Sequence, residues 1–225
     1  MRLVLRIGGS VIASPVNPAL ISRYVELLKN LKKQGHVVAA VVGGGAPARE
    51  FIRIAKELRL DEKIQDDVAI SVSRIFAQLF LKKLGELGCD SVPLTIEEAA
   101  RCLDNGKIAV MGGLRPGMTT DTVAALLAER VKAELYVKAT DQEGIYDKDP
   151  RKHADAVKLE RVHFKDLPSI FTLNKHEAGL HQILDSEAVK ILEKNSVKVI
   201  VLNGFKPENV LTAVKGEKIG TLVVV

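Results

Sequence analysis

Three apolar segments of this chain each lead directly into a cluster of glycines, and a helical pattern begins after each cluster. The clusters are residues 8–9, 43–45 and 112–113. Strands that alternate with helices in this way predict a mostly parallel sheet with helices on both faces. Because connections between parallel strands are right-handed, the carboxyl ends of the strands meet at one edge, where ligands bind. We therefore expect all three glycine clusters to lie on that edge.

The third of these joints is the most informative. A loop of Gly, Pro and hydroxyl residues separates the apolar segment 107–111 from a helix, at whose start Asp121 is a good N-cap candidate. Free N–H groups and the helix dipole make such a terminus attractive to anions. One joint of this kind is an ordinary turn. Three of them favour a phosphate-binding edge.

The remaining pattern fits the same architecture. Asn17 and Pro18 begin a helix that Gly35 ends, Asp66 precedes a long helical pattern, and Thr95 with Glu98 forms a capping box. We expect strands over residues 2–7, 36–42, 90–93, 107–111, 134–139 and 197–202 and at the end of the chain. We expect further helices over residues 185–195 and 207–214, and loop with short irregular strands over residues 141–166.

The length of 225 residues fits one large domain or two small ones, and 47% of them are hydrophobic. No linker, repeat or low-complexity tract divides the chain. We therefore expect one domain over residues 1–225, with two lobes of a continuous sheet at about 1–130 and 131–225.

Composition excludes several classes of function. Aromatic residues make up 4% of the chain and Trp is absent, which argues against a stacking surface for single-stranded nucleic acid. The net charge of +5 is spread without a long Lys or Arg run and suits small polyanions such as nucleotides. No apolar run approaches the roughly 20 residues that span a bilayer, and residues 1–12 lack the signal-peptide pattern. We expect a cytoplasmic protein with no membrane or nucleic-acid partner.

The two cysteines and a histidine pair invite metal or redox interpretations. Cys89 and Cys102 match no metal-binding spacing, and we expect no disulfide framework. The stretch HEAGLH at residues 176–181 places its histidines five apart, whereas a zinc-protease helix needs four. A surface or subunit contact is the better interpretation of that stretch.

Standard nucleotide signatures are missing. GGGAPA at residues 43–48 departs from the dinucleotide-binding spacing GxGxxG, and GxxxxGK[ST] does not occur.

Four segments occur in an order that resembles the amino acid kinase superfamily, and within it the archaeal uridylate (UMP) kinases. They are IGGS at 7–10, VVGGG at 41–45 with Arg49 following, GGLRPGMTTDTVAALLAE at 112–129, and KATDQEGIYDKDP at 138–150. The resemblance continues through residues 184–204 and 216–224 and so covers essentially the whole chain. It implies an open αβα sandwich and transfer of the ATP γ-phosphoryl group to UMP. It also implies Mg²⁺ carried with the ATP and a homo-oligomer, a hexamer built from dimers.

The resemblance also assigns site residues. The ATP phosphates would be bound by Gly9, Ser10, Gly45 and Arg49. Adenosine would be bound by Thr140, Tyr146 and Asp149. UMP would be bound by Gly44, Asp66, Leu114, Arg115, Pro116, Gly117, Met118, Thr119 and Thr120. Arg6 and Arg49 would be the catalytic cations, and no protein metal ligand is expected.

Two departures from the family pattern stand out. Arg6 occupies a first-strand position where the family often has Lys. The cation there is therefore a planar guanidinium rather than a compact ammonium group. The common family segment VDGVY is replaced by residues 142–146, which changes the polarity near the expected adenine.

Each assignment has a plainer alternative. In these alternatives the residues have structural roles only. Glycines 43–45 form a tight turn, Asp66 and Asp121 act as helix caps, and Tyr146 packs in the core. We favour ribose binding for Asp66 and capping with a secondary electrostatic role for Asp121. Lys138 is left out of the site because it either orients the loop or is merely solvated.

Other functions share this fold. Carbamate, acetylglutamate, aspartate and isopentenyl phosphate kinases belong to the superfamily, but the chain lacks an appended regulatory domain and a His near the second glycine cluster. The alternative from a different class is a nucleotide-sensing regulator that has lost turnover or that binds nucleic acid. A kinase of this type needs in-line positioning and charge neutralisation but no general base, because the acceptor is already an ionised phosphate oxygen.

Overall fold

The core of the protein is one sheet, seen in a computed structural model that describes residues 1–173 and 183–225. Its seven strands follow the order β3-β2-β1-β4-β6-β7-β5. The strands are β1 (Arg2–Ile7), β2 (Val37–Val42), β3 (Ala109–Met111), β4 (Leu135–Thr140), β5 (Arg161–His163), β6 (Lys198–Asn203) and β7 (Thr221–Val224).

Helices connect these strands. They are α1 (Gly9–Ile12), α2 (Pro18–Lys33), α3 (Gly45–Glu57), α4 (Glu62–Leu84), α5 (Ile96–Asp104), α6 (Thr120–Arg130), α7 (Leu167–Leu173), α8 (Ser186–Lys194) and α9 (Glu208–Val214). None of the helices in the described parts of the chain has the length and apolar composition needed to cross a membrane. The stretch 176–181 lies outside the described residues.

The central strands are parallel, which confirms the predicted architecture. β1 pairs in parallel with β2 and β4, and β6 continues the parallel set, whereas β7 runs antiparallel to β6. β1, β2 and β4 are built almost wholly from buried apolar side chains, as expected for strands covered on both faces. Arg2, at the exposed start of β1, is charged, and so are Arg6 and Lys138, which are register partners on β1 and β4.

The starts of α2 and α5 agree with the sequence prediction, but the start of α4 does not. The side chains of Asn17 and Thr95 cap α2 and α5 as predicted. The long helix α4, however, begins four residues before Asp66, at Glu62, because the Asp61 carboxylate accepts the N–H of Ile64 at 2.9 Å. Asp66 therefore lies within the helix, and a capping role for it is wrong.

The predicted strand over residues 90–93 is also wrong. The neighbouring Gly88 makes one isolated bridge to Ile108, and the chain then bends away. Pro93 has no N–H to donate to a neighbouring strand, which disfavours strand pairing here. β3 is correspondingly short, starting at Ala109 rather than at Lys107.

The structure contains a disulfide between Cys89 and Cys102, contrary to the expectation from sequence. Their Cα atoms are 5.9 Å apart, within the range that a disulfide bridges. The bond links the segment after α4 to α5. Spacing alone could not predict it, because the pairing arises only when α5 folds back towards the start of β3.

Candidate active site

The three glycine clusters lie at the carboxyl ends of adjacent strands. They follow β1, β2 and β3, which are neighbours in the sheet, so the prediction of a shared edge is confirmed. We name them the first loop (residues 8–10), the second loop (residues 43–45) and the third loop (residues 112–119). The strand ladder continues into the first two, since Gly43 N–H donates to Ile7 O at 3.1 Å and Gly8 N–H to Ala139 O at 2.8 Å.

The first and second loops pack backbone against backbone. A Cβ atom added to Gly9 would lie 2.2 Å from the amide nitrogen of Gly45, a distance that no real side chain allows. Gly45 has φ +61°, a conformation that glycine adopts without strain. Glycine at both positions is therefore required for this contact between the loops.

These two loops offer unpaired hydrogen-bond donors. In residues 1–173 and 183–225, the N–H groups of Gly9, Ser10, Gly44 and Gly45 make no hydrogen bond within the chain. Helix α3 begins at Gly45, so the positive end of its dipole lies beside these N–H groups. Such a set of donors is suited to phosphate oxygens.

Ser14 links the same two loops, and sequence reasoning missed it. Its hydroxyl donates to Gly9 O at 3.4 Å and accepts the N–H of Ala46 at 2.9 Å. The exposed Arg49 donates to the same oxygen at 3.2 Å. Ser14 thus holds Arg49 beside the second loop. A single serine after an apolar run carries no sequence signal for this role.

The third loop is anchored to α4. The Asp66 carboxylate accepts the N–H of Gly117 at 2.7 Å. Arg115 O accepts the N–H of Met118 at 3.2 Å, and Gly117 has φ +76°, which closes a turn with Pro116 as its second residue. Asp66 therefore organises the loop directly, with one carboxylate oxygen, Oδ1, left without a hydrogen bond in the described structure.

The side chains of the third loop differ in their exposure. Leu114, Pro116 and Met118 are half-buried, whereas Arg115, Gly117 and Thr119 are exposed. Thr120 begins α6, and its hydroxyl accepts from Arg6 Nη2 at 2.9 Å. The loop thus presents one charged and two small residues to solvent.

A charged cluster lies beneath the first loop. Asp121 Oδ2 is 2.5 Å from Lys138 Nζ, and Asp121 Oδ1 is 3.0 Å from Arg6 Nε. The contact with Arg6 is an ion pair rather than a hydrogen bond, since Arg6 Nε has no hydrogen-bond partner. All three side chains are largely shielded from solvent, with side-chain exposures of 15% for Arg6, 9% for Asp121 and 6% for Lys138.

The environment of this cluster shifts its ionisation. Burial lowers the pKa of Lys138 to about 8, although Asp121 opposes the shift. Burial would raise the pKa of Asp121, but the charges of Arg6 and Lys138 outweigh it and hold that pKa below its usual value. Burial raises the pKa of Tyr136 well above its usual value, and its hydroxyl donates to Asp121 at 3.4 Å. At neutral pH the three charged groups together carry a charge of +1.

Asp121 is not the N-cap of α6, so that prediction is wrong. Thr119 caps the helix, because its hydroxyl accepts the N–H groups of Asp121 and Thr122 at 3.1 Å. Asp121 lies two residues after this cap, and its carboxylate contacts Arg6 and Lys138 on the sheet. The interpretation of Lys138 as a solvated lysine is also wrong.

Asp185 is a further residue that sequence reasoning did not assign to the site. It caps α8 by accepting the N–H groups of Glu187 and Ala188, at 2.9 and 2.8 Å. The same carboxylate accepts the hydroxyls of Thr119 and Thr122, the latter at 2.9 Å. It therefore joins the starts of α6 and α8.

The residues predicted to bind adenosine follow β4. Thr140 ends that strand on the same edge as the glycine loops. Tyr146 is half-buried and forms an isolated bridge with Lys158. Asp149 is 7% exposed, and its carboxylate accepts the N–H of Arg151 at 3.0 Å. One carboxylate oxygen of Asp149 therefore shapes its own turn.

The described residues contain no group of three or more His, Cys, Asp or Glu side chains arranged around a common point. Asp121, the buried carboxylate at the edge, is already engaged by two cations.

Comparison with known proteins agrees with this geometry. The model of the amino acid kinase family matches residues 1–203. Uridylate kinase of Methanocaldococcus jannaschii is 41% identical over 225 residues, covering 99% of both chains. Uridylate kinase of Methanobrevibacter smithii is 36% identical over 224 residues, covering 100% of this chain and 99% of the relative.

A solved structure confirms the predicted fold. The crystal structure of uridylate kinase from Archaeoglobus fulgidus superposes with a TM-score of 0.90 at 36% identity and covers 100% of both chains. The sheet order, the edge formed by the glycine loops and the full-length similarity agree with one another. This chain belongs to the amino acid kinase family.

Proposed function

We propose that this chain is a UMP kinase that transfers the γ-phosphoryl group of ATP to UMP and so acts in pyrimidine nucleotide biosynthesis. The observation that carries the proposal is the convergence of three glycine loops around the Arg6–Asp121–Lys138 cluster. Similar chains that bear the name uridylate kinase, matched along essentially their whole length, support the choice of acceptor.

The ATP phosphates bind at the first and second loops. Gly9, Ser10 and Gly45 supply backbone N–H groups, and Arg49 supplies a guanidinium that Ser14 holds in place. Thr140, Tyr146 and Asp149 bind adenosine on the side of residues 131–225. Mg²⁺ arrives with the ATP and neutralises phosphate charge.

UMP binds at the third loop, beside Asp66 in the first turns of α4. Asp66 binds the ribose hydroxyls through Oδ1 while Oδ2 holds Gly117. Gly44 and residues 114–120 contact the uracil and the phosphate. All of these acceptor-binding residues belong to the lobe formed by residues 1–130.

The chemistry requires positioning and charge neutralisation. An oxygen of the UMP phosphate forms a bond to the γ-phosphorus, while the bond from that phosphorus to the β–γ bridging oxygen breaks, giving UDP and ADP. The guanidinium of Arg6, whose Nη2 donates to Thr120, stabilises charge on the transferring group. No general base is needed because the attacking oxygen is ionised.

The enzyme forms a homo-oligomer, and its resemblance to the UMP kinases implies a hexamer. Phe51, Ile54 and Leu58 form a stripe along α3 and are 50%, 37% and 66% exposed. Ile75 and Leu79 on α4 are 56% and 50% exposed. An apolar surface of this kind on two neighbouring helices favours association with a second copy. Its substrates are metabolites of the cytoplasm, where we place the enzyme.

The test is a comparison of phosphoryl acceptors. ADP release from Mg-ATP would be measured with UMP, CMP, dUMP, carbamate, N-acetylglutamate and isopentenyl phosphate in separate assays. A strong preference for UMP supports the proposal. Turnover of another acceptor keeps the kinase chemistry and overturns the assignment of the third loop. Nucleotide binding without any turnover favours a nucleotide-sensing regulator instead.

A further inference from the structure

Arg74, in the middle of α4, makes a two-point contact with the backbone of the third loop. Its Nε donates to Gly113 O at 3.0 Å and its Nη2 donates to Leu114 O at 2.9 Å. The guanidinium is rigid and planar, so two consecutive carbonyls bound by two of its nitrogens are fixed in direction as well as position.

The preceding residue on α4 strengthens this hold. The Ser73 hydroxyl accepts the N–H of Gly113 at 2.8 Å and donates to Ile70 O at 2.7 Å. A Cβ atom on Gly112 would lie 2.6 Å from this hydroxyl and 2.7 Å from the amide nitrogen of Arg74. The helix therefore touches the loop backbone closely, and Gly113 is bound through both its N–H and its carbonyl.

The direction of these carbonyls determines where the next N–H groups point. Both peptide bonds are trans, and in a trans peptide the N–H of one residue points opposite to the carbonyl of the residue before it. Because the carbonyls of Gly113 and Leu114 face Arg74, the N–H groups of Leu114 and Arg115 point away from it. Neither N–H has a hydrogen bond to any described residue.

The charge of Arg74 also remains available. No carboxylate lies within ion-pair distance of its guanidinium in the described parts of the chain, in contrast to Arg6, which is paired with Asp121. The negative ends of two peptide dipoles are thus covered by a cation. The same side chain leaves two free N–H groups pointing away from the helix.

We propose that Arg74 is a positioning residue that orients the N–H groups of Leu114 and Arg115 towards oxygen atoms of the acceptor nucleotide. The inference rests on the proposed function for the identity of that acceptor. Arg74 reaches the acceptor only through the loop, and its loss weakens acceptor binding while leaving ATP binding unchanged.

Steady-state kinetics with Arg74→Met and Arg74→Lys test this role. We expect Arg74→Met to lower kcat/KM for UMP by about 10- to 100-fold, as misplacement near a reacting group does, and to change KM for ATP less than twofold. Arg74→Lys keeps the charge but has one donor atom for two carbonyls, so it remains at least tenfold impaired. Arg101→Met, which removes an exposed arginine on α5, is the matched control and stays at wild-type kinetics.

Three outcomes would overturn the inference. They are unchanged UMP kinetics in Arg74→Met, equal losses for ATP and UMP, and full activity in Arg74→Lys, which would make charge alone sufficient. If the wild-type chain prefers another acceptor, the proposed function fails while the same comparison on that acceptor still decides the role of Arg74.

Hydrogen exchange gives a readout that needs no turnover. In Arg74→Met, amide exchange in a peptide spanning the third loop should be faster than in the wild type, while exchange in β4 stays the same. Unchanged exchange in the third loop would contradict a positioning role even in an inactive protein. Faster exchange everywhere would show general destabilisation and would also contradict it.

Discussion

The carboxylate of Asp121 and the ammonium of Lys138 form an ion pair of 2.5 Å in which both side chains are almost fully buried. Lys138 lies beside Arg6 in the register of β1 and β4, so a single carboxylate from α6 holds two cations from adjacent strands. This arrangement fixes the direction of Arg6 at the edge formed by the glycine loops. The shared Asp121 carboxylate also explains why the positive charges of Arg6 and Lys138 can be buried side by side.

Removing the carboxylate should impair both stability and turnover. Asp121→Asn preserves the shape but leaves Lys138 and Arg6 without their counterion, and breaking a buried pair in this way costs about 3–5 kcal/mol. Denaturant unfolding should show this loss, and kcat should fall at least about 100-fold, a loss comparable to that of an electrostatic group in other active sites.

Two variants serve as controls for that result. Glu208→Gln removes the acid of the exposed Arg23–Glu208 pair, whose side chains are 53% and 59% exposed, and should cost under about 1 kcal/mol. The double variant Asp121→Asn with Lys138→Met should recover part of the stability but none of the activity. An Asp121→Asn protein as stable as the wild type would contradict the geometry of the cluster.

The ionisation of Lys138 predicts a pH dependence of turnover. Its pKa is about 8, so raising the pH through that value removes one positive charge beside Arg6, and kcat should fall. In Lys138→Arg the cation does not titrate in this range, and the fall near pH 8 should disappear. A fall of the same size at the same pH in both proteins would assign the titration to another group.

The same group also affects stability, with the opposite sign. The pKa of Lys138 is lower in the folded protein, about 8, than its ordinary value of 10.5. Between these two values the unfolded chain binds more protons, so the contribution of Lys138 to the free energy of unfolding rises with pH. Unfolding measured across this range should show a steeper rise in the wild type than in Lys138→Met.

The Cys89–Cys102 disulfide should stabilise the fold without taking part in turnover. It joins residues separated by 13 positions, and closing a loop of that size is worth about 3 kcal/mol. The double variant Cys89→Ser with Cys102→Ser should unfold at lower denaturant concentration and keep its kcat. Thiol titration of the unreduced, denatured wild type should find no free thiol, and two free thiols would show that the bond does not form.

The apolar stripe on α3 should mediate association. Phe51→Glu places a charge in its centre and should shift the protein to a smaller particle in light scattering. Val157→Glu, at a site that is 60% exposed and far along the chain from α3, should leave the particle size unchanged. A Phe51→Glu protein of wild-type size would remove this stripe from the interface.

Periodicity and glycine spacing were sufficient to predict the central parallel strands of the sheet, but not the bounds of β5, which lies in a stretch expected to be loop with short irregular strands. The buried runs ending at Ile7 and Val42 have no other stable place than the centre of a parallel sheet, and their glycines had to lie on its ligand-binding edge. Local capping chemistry likewise predicted the starts of α2 and α5. At the starts of α4 and α6 the sequence prediction was wrong, because Asp61 rather than Asp66 caps α4 and Thr119 rather than Asp121 caps α6. The difference depends on which side chain reaches a free N–H.

The charged cluster and the disulfide could not be predicted in the same way. Lys138 interrupts an apolar strand, but only the register of β4 against β1 places it beside Arg6. Cys89 and Cys102 meet through the path of α5, and Arg74 reaches the third loop across 39 positions of sequence. These contacts are long-range, and no local pattern encodes them.

The most direct test of the account follows the transferred group itself. Mg-ATP labelled in its γ-phosphate would be incubated with UMP and the wild-type protein, with Asp121→Asn in parallel, and the labelled products would be separated. The account predicts that the label appears in UDP with the wild type and in UDP at a greatly reduced rate with the variant. Label found only in inorganic phosphate, or no transfer at all from ATP, would contradict it.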